Sequence, residues 1–221
     1  MTAENGKPIV GYWNYRGLGQ PIRHLLAHVG VDFEDKRYSK GEDGLGSEWL
    51  EEKSLMDISF PNLPYYIDND IRLSQSDTIL RFLAQKYNLA GETELERLRI
   101  DIMDCQIKDY FRQFITIIQS SDDEIKTEYV QLLADHLDTI NRFMGVNPFV
   151  SGTNVSFVDF CLYEYLIRMP QFAPEVMQQF PDLLDYIKRI ESLPNVAHYL
   201  ENQHKPLPFL ISNDCNWNYT Y

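Results

Sequence analysis

Residues 9–38, IVGYWNYRGLGQPIRHLLAHVGVDFEDKRY, hold the order of elements on which the fold turns. Ile9 to Trp13 is apolar and aromatic and runs into a Gly-containing turn, Arg16-Gly17-Leu18-Gly19, so it reads as a short strand. Ile22, Leu25, Leu26 and Val29 then recur at the i, i+3, i+4, i+7 spacing of one buried helix face, and Gly30 supplies a left-handed stop. Phe33 to Tyr38 reads as a second strand. Strand, helix and strand in so compact an order imply a right-handed parallel crossover, with the first helix on one face of a sheet.

Downstream of this unit a polar loop leads to a short helix around Trp49 to Lys53. The segment Phe60-Pro61-Asn62-Leu63-Pro64-Tyr65-Tyr66-Ile67 enters a strand that turns at Asp68-Asn69-Asp70 into Ile71-Arg72-Leu73, a hairpin. A helix follows from about Ser76, with Ile79, Leu80, Leu83 and Tyr87 on one face, and stops before Gly91. From Thr93 onward the periodicity is helical only: Leu95, Leu98, Ile102 and Cys105 in one stretch, Leu133, His136, Leu137, Ile140 and Met144 in another. Ser156 and Asp159, just before the apolar run Phe160 to Ile167, read as a capping box, with Val155 placed to staple onto Phe160. An α/β first part is thus followed by an all-α second part.

A chain of 221 residues with 44% hydrophobic side chains can bury a sizeable core. Its net charge of -13, without a compensating run of Lys or Arg, opposes nucleic acid as a partner. The apolar stretches, such as Ile115 to Ile118 and Phe209 to Ile211, are too short to span a bilayer of about 30 Å, so no membrane is expected. Met1 to Lys7 is polar, without an apolar signal core, and Cys105, Cys161 and Cys215 are scattered without CxxC spacing. A reducing, cytoplasmic compartment is the expectation.

Few patterns carry chemistry. Gly17-Leu18-Gly19 lacks the third glycine of a dinucleotide loop, and the five His are dispersed, so no metal site is expected. Three local features remain. Tyr12 falls at the carboxyl end of a parallel strand, the edge at which open α/β sheets bind ligands, where a phenol can donate a hydrogen bond to an anion or simply pack. A thiol with a pKa near ~8.5 needs about 2.7 kcal/mol of preferential thiolate stabilisation to fall by ~2 units, and one well-aimed hydroxyl can supply much of that. Pro64, after Leu63 at a strand start, can be cis, turning the backbone and leaving the Leu63 amide for an extended ligand, or trans. Gln75-Ser76 sits at a helix N-terminus, where free amides can hold a carboxylate or serve an ordinary cap.

These features coincide with a known pattern. The strings GYWNYRGLGQPIR, FPNLPYYID and LSQSDTILRFLAQKYNLAG, followed by GETELERLRIDIMDCQIKD, VSFVDFCLYEYL and a Trp near the end, resemble the mu-like class of cytosolic glutathione transferases over nearly the whole chain. The resemblance implies an α/β plus all-α fold: a thioredoxin-like domain over residues 1–90 that holds glutathione, and an all-helical domain over residues 91–221 that shapes the electrophile site and part of a dimer interface. It implies Tyr12 as the catalytic thiolate stabiliser, and Tyr12, Trp13, Trp49, Lys53, Asn62, Leu63, Gln75 and Ser76 as the residues that hold the tripeptide. Among these, Trp49 and Lys53 take the glycyl carboxylate, Leu63 pairs its backbone with the cysteinyl unit, and Gln75 with Ser76 receives the γ-glutamyl carboxylate. Asp109 would reach the neighbouring subunit's glutathione, Phe60 would key into the partner of a homodimer, and Arg81 would lie near its two-fold axis.

The electrophile site implied by the resemblance is walled by Leu18, the helix from Arg112 to Gln119 and the stretch Leu210 to Ser212, including Ile211. No cofactor is tightly bound; glutathione is a co-substrate. The chain departs from the mu pattern at two places. The loop SKGEDGLGSE before Trp49 is shorter and lacks a basic residue found in the vertebrate loop, and Gln119 stands where mammalian mu enzymes often carry an assisting tyrosine. The expected function is conjugation of the glutathione thiolate to hydrophobic electrophiles. A non-catalytic carrier or crystallin-like relative, or a glutathione-dependent isomerase, are the alternatives on the same fold; the presence of Tyr12, Lys53, Gln75, Ser76 and Asp109 argues against lost glutathione binding.

Overall fold

The computed structural model describes residues 6–42, 44–203 and 207–209. Its strands are β1 (Ile9–Trp13), β2 (Glu34–Tyr38), β3 (Tyr65–Asp68) and β4 (Ile71–Ser74), and they form one sheet in the order β2-β1-β3-β4. β1 pairs parallel with β2 and antiparallel with β3, and β3 with β4 antiparallel, as a crossover followed by a hairpin requires. β2 begins one residue later than the sequence pattern suggests, at Glu34.

Three helices belong to the sheet: α1 (Gln20–His28), α2 (Ser47–Lys53) and α3 (Ser76–Lys86). Val10 and Tyr66 on one face of the sheet pack with Ile22, Leu25 and Leu26 of α1 and Ile79, Leu80 and Leu83 of α3, all buried. Because side chains alternate along a strand, Ile9, Tyr65 and Ile67 point the other way and form a second cluster with Tyr38 and Trp49 under α2. Gly11 is required here, since a Cβ would run into the Tyr65 ring. Gly30, at φ +73°, ends α1 as its pattern foretells.

The helices that follow are α4 (Glu94–Gln119), α5 (Asp123–Met144), α6 (Phe157–Leu166), the single turns α7 (Met169–Phe172) and α8 (Pro174–Met177), α9 (Pro181–Glu191) and α10 (Pro194–Glu201). α6 is buried along almost its whole length and packs against α1 and α4, which joins the helical part to the sheet part. The capping box that opens it is present: Asp159 Oδ2 accepts from the Ser156 N–H at 2.8 Å and hydroxyl at 2.7 Å. Asp159 Oδ1 also takes the Val150 N–H and the Tyr186 hydroxyl, so this buried carboxylate organises three segments.

The face of α4 differs from the simplest reading of its periodicity. Leu95, Leu98, Ile102 and Cys105 do recur on one side of the helix, but that side is exposed, whereas Ile100, Met103, Ile107, Tyr110, Phe114 and Ile118 form the buried one. α4 is apolar on two faces, and among the described residues only one of them is covered. Among the described residues no helix is long and apolar enough to cross a membrane.

Candidate active site

Tyr12 lies near the end of β1 with its side chain buried, and the turn after β1 closes around it. Its hydroxyl oxygen accepts the backbone N–H of Leu18 at 3.1 Å. Gly17 and Gly19 are required for this fit: a Cβ on Gly17 would lie 2.6 Å from the Tyr12 oxygen, and one on Gly19 2.5 Å from the ring. Gly17 also has φ +37°, a conformation that side chains disfavour. Arg23, fully buried on α1, donates to Asp35 at 2.8 Å and to the Tyr15 carbonyl at 3.1 Å, with its guanidinium 5.8 Å from the Tyr12 ring centroid. The turn is thus clamped from the helix that follows it.

α2 is anchored by its own set of contacts. Trp49 is buried, stacked on Tyr65 at 6.1 Å and edge-on to Tyr38 at 5.4 Å. Tyr38 donates to Glu52 at 2.6 Å, and its oxygen stands 2.8 Å from that of Tyr65. Lys36 reaches the other oxygen of Glu52 at 2.5 Å. Burial and the Glu52 carboxylate push the Tyr38 pKa far above its ordinary value, and burial takes Tyr65 up to about 12. Both stay neutral and serve as hydrogen-bonding posts. Lys53, in the last turn of α2, is half-buried, and Trp13 packs over Gly46 at the head of that helix.

The Leu63–Pro64 bond is cis. The Leu63 amide, expected to be free, is taken at 2.9 Å by the side-chain oxygen of exposed Asn62, so a ligand that pairs with Leu63 must displace that local contact. At the start of α3 the Gln75 side chain makes no cap, and its backbone sits at φ +71°, unusual for a non-glycine residue and characteristic of functional sites. Ser76, half-buried, opens the helix with uncapped amides next to it.

A cavity of about 480 Å³ opens between the sheet part and the helices. Gly17, Leu18 and Ser76 wall it on one side, and Phe111, Arg112 and Ile115 of α4 on the other. Leu18 and Arg112 are both exposed at its edges, Arg112 being paired with Asp109 at 3.1 Å. Gln119 is exposed at the end of α4, one turn past Ile115. Leu210 to Ser212, with Ile211, fall outside the described residues. Arg81 is tied into its own chain by buried Asp104 at 2.5 Å, which also accepts from Lys108 at 2.9 Å; Lys108 in turn meets Asp77 at 2.8 Å and so ties α4 to α3. Phe60 is 76% exposed.

The comparisons agree with this geometry. Residues 8–85 match the family model for the glutathione S-transferase N-terminal domain, and residues 108–203 that for the C-terminal domain. The chain is 43% identical to a glutathione S-transferase of Tyrophagus putrescentiae over 92% of its length and 94% of that protein's. The chain belongs to the glutathione S-transferase family. It is 37% identical to glutathione S-transferase Mu 1 of Mus musculus over 95% of its own length and 98% of the other's. Among solved structures, that of the glutathione S-transferase Blo t 8 superposes with a TM-score of 0.84 at 28% identity, covering 96% of this chain and 100% of that one.

Beneath the turn after β1 of this glutathione S-transferase lies a charged cluster that the sequence patterns did not single out. Glu164 of α6 accepts from Arg16 Nε at 3.1 Å and Nη2 at 2.5 Å, and His24 Nε2 stands 3.1 Å away. Burial works to raise the Glu164 pKa, but Arg16, His24 and Arg168 together hold it well below the usual carboxylate range. Burial lowers the pKa of His24, which is neutral there at pH 7. One part of it carried a sequence signal: Glu164 is the single charge in the apolar run Phe160 to Ile167, and a charge in a run that is apolar all round must be paired inside.

Proposed function

We propose that this glutathione S-transferase ionises the thiol of glutathione against the Tyr12 hydroxyl and adds the thiolate to hydrophobic electrophiles held in the 480 Å³ cavity. One observation carries the reading. The Tyr12 oxygen accepts a backbone N–H from Leu18, and its own proton meets no acceptor among the described residues. A buried hydroxyl polarised in this way is a hydrogen-bond donor waiting for an anion.

In this reading Trp13, Trp49, Lys53, Asn62, Leu63, Gln75 and Ser76 hold the tripeptide. The Lys53 ammonium takes the glycyl carboxylate beside Trp49, and the uncapped amides of α3 with the Ser76 hydroxyl take the γ-glutamyl carboxylate. Leu18 and Arg112 wall the electrophile's cavity, and Gln119 and Ile211 are assigned to the same side, Ile211 lying outside the described residues. Residues 1–90 form the glutathione-binding domain and residues 91–221 the helical one. The active form is a cytoplasmic homodimer, in which Asp109 reaches the neighbouring subunit's glutathione and Phe60 and Arg81 lie in the contact. Support for the dimer comes from the uncovered apolar side of α4, Leu95, Leu98 and Ile102, together with the projecting Phe60. Sedimentation at micromolar protein tests it, and a monomer in solution would sink it.

The test of mechanism is turnover of a chlorinated nitrobenzene by wild type and Tyr12→Phe, with glutathione affinity measured alongside. The expected result is retained affinity and a rate lower by roughly 10-fold to 1000-fold. A wild type that binds glutathione and is inert would transfer the assignment to a carrier or an isomerase.

A further inference from the structure

Arg168 follows α6 and is completely buried, with its guanidinium between two aromatic rings. Its central carbon lies 5.1 Å from the centroid of Phe111, a wall of the electrophile cavity, and 4.9 Å from that of Phe209. The carbonyl of Phe209 accepts the N–H of Gly17, in the turn that closes over Tyr12. One aromatic ring therefore separates this cation from the cavity, and one residue's backbone separates it from the active-site turn. Among the described residues its only hydrogen bond is a long one, Nη2 to Glu164 at 3.5 Å, and Nε and Nη1 meet no partner there.

An arginine that served only to join α6 to α1 would have its donors satisfied, because a buried unpaired cation is costly. Here the charges do not balance. Arg16 takes the strong, bidentate share of Glu164, His24 is neutral, and the second guanidinium is left over, so among the described residues this buried cluster carries a net charge of about +1. We infer that Arg168 is a positioning residue for the reaction, a buried uncompensated cation whose field, acting at the Tyr12 site, favours the ionised form of the glutathione sulfur. The inference rests on the Tyr12 reading for the place of the sulfur.

The thiol proton leaves to solvent, and no bond to Arg168 forms. The ionisable groups facing Arg168 are Glu164 and Tyr165 of α6, and Arg16 and Tyr12 from the first strand and its turn. Burial lowers the Arg168 pKa to about 10, so the group remains charged at neutral pH. A negative charge on Tyr12 would raise that pKa, and coupling is reciprocal, so the Arg168 charge favours an anion where Tyr12 points.

The measurement is the pKa of enzyme-bound glutathione, read from the ultraviolet absorption of the thiolate across pH, in wild type, Tyr12→Phe, Arg168→Met and Arg168→Lys. In Arg168→Met the thiol pKa should rise by about one unit, tenfold less thiolate below that pKa, with glutathione affinity kept and the rate recovering at high pH. Arg168→Lys, which keeps the charge, should restore most of the wild-type value. A folded Arg168→Met enzyme with an unshifted thiol pKa overturns the inference, because a merely structural arginine would lower the rate at every pH alike. If Arg168→Met fails to fold, Glu164→Gln decides by sign: it leaves the guanidinium charges unopposed and must lower the thiol pKa, and an unchanged or higher value overturns the inference. A shift in Arg168→Met with none in Tyr12→Phe would keep the effect of the Arg168 charge on the sulfur and remove only the Tyr12 hydroxyl as the thiolate's donor; a shift in Tyr12→Phe alone would keep that donor and overturn this inference.

Discussion

The two sides of the active site are built by different means. The proposed glutathione side comes from residues 12–76, a contiguous stretch in which strand register decides what faces where, and most of its elements have a dedicated anchor: glycines and Arg23 around Tyr12, Glu52 and two tyrosines under α2. The proposed electrophile side is assembled from the first turn, α1, α3, α4 and α6, whose residues run from Gly17 to Tyr165, and its rim residues Leu18 and Arg112 face solvent. A closely held half suits one invariant co-substrate. An open half, set by how helices cross, suits many second substrates.

If that contrast is right, substitutions should matter in proportion to how tightly each side is held. The largest effect is expected at Gly17→Ala, where a methyl group would press on the Tyr12 oxygen and on Tyr15 in a left-handed backbone conformation. A misplacement of about 1 Å can cost ~100-fold in rate, and steady-state kinetics should show a fall of that order in kcat. Glu52→Gln weakens the hold of Tyr38 and Lys36 on α2 without touching Tyr12. Calorimetry should find glutathione bound roughly 10-fold more weakly, with kcat at saturation nearly unchanged.

The buried cluster between the two sides gives a pH-dependent test. His24 has a lowered pKa in the folded protein, while an unfolded histidine takes up its proton near ~6.5. The unfolded state then binds more protons below that value, so stability must fall as pH drops from about 7 toward 5, by at most about 1.4 kcal/mol per pH unit from this residue. Thermal melts of His24→Gln should depend less on pH across that window than those of wild type. The smallest effect is expected on the open side: Arg112→Ala removes an exposed side chain paired, among the described residues, with its helix neighbour Asp109, and kcat/KM for a neutral electrophile should move by less than about threefold. A larger loss at Arg112 than at Glu52 would dissolve the contrast.

The same difference explains what the sequence disclosed. Strand, turn and cap signals are local, so β1, α1, the β3-β4 hairpin and the Ser156 box could be read from a few neighbouring residues. Tyr12, Pro64 and Gln75-Ser76 fell within such local signals and could be named from them. The exposed side of α4 could not be told from its buried side, because both recur with helical spacing and packing against α5 and α6 chooses between them. The Leu63 amide was read as free because the neighbouring Asn62 side chain, which takes it, has no signature in the strand pattern. Glu164, Arg168 and Arg16 were passed over for a related reason: each is an isolated charge in sequence, and 148 residues separate Arg16 from the carboxylate it needs.

That separation has a consequence for how the molecule is made. The turn after β1 leaves the ribosome well before α6 does, yet its Arg16 and Gly17 amides are received by Pro208 and Phe209, and its guanidinium by Glu164. Closing so long a loop is entropically slow, and until those last segments emerge the nascent turn has neither its counter-charge nor its carbonyl acceptors. Catalytic competence in a growing chain should therefore arrive abruptly, when residues 208–209 dock on the turn, rather than when the sheet and its helices have folded.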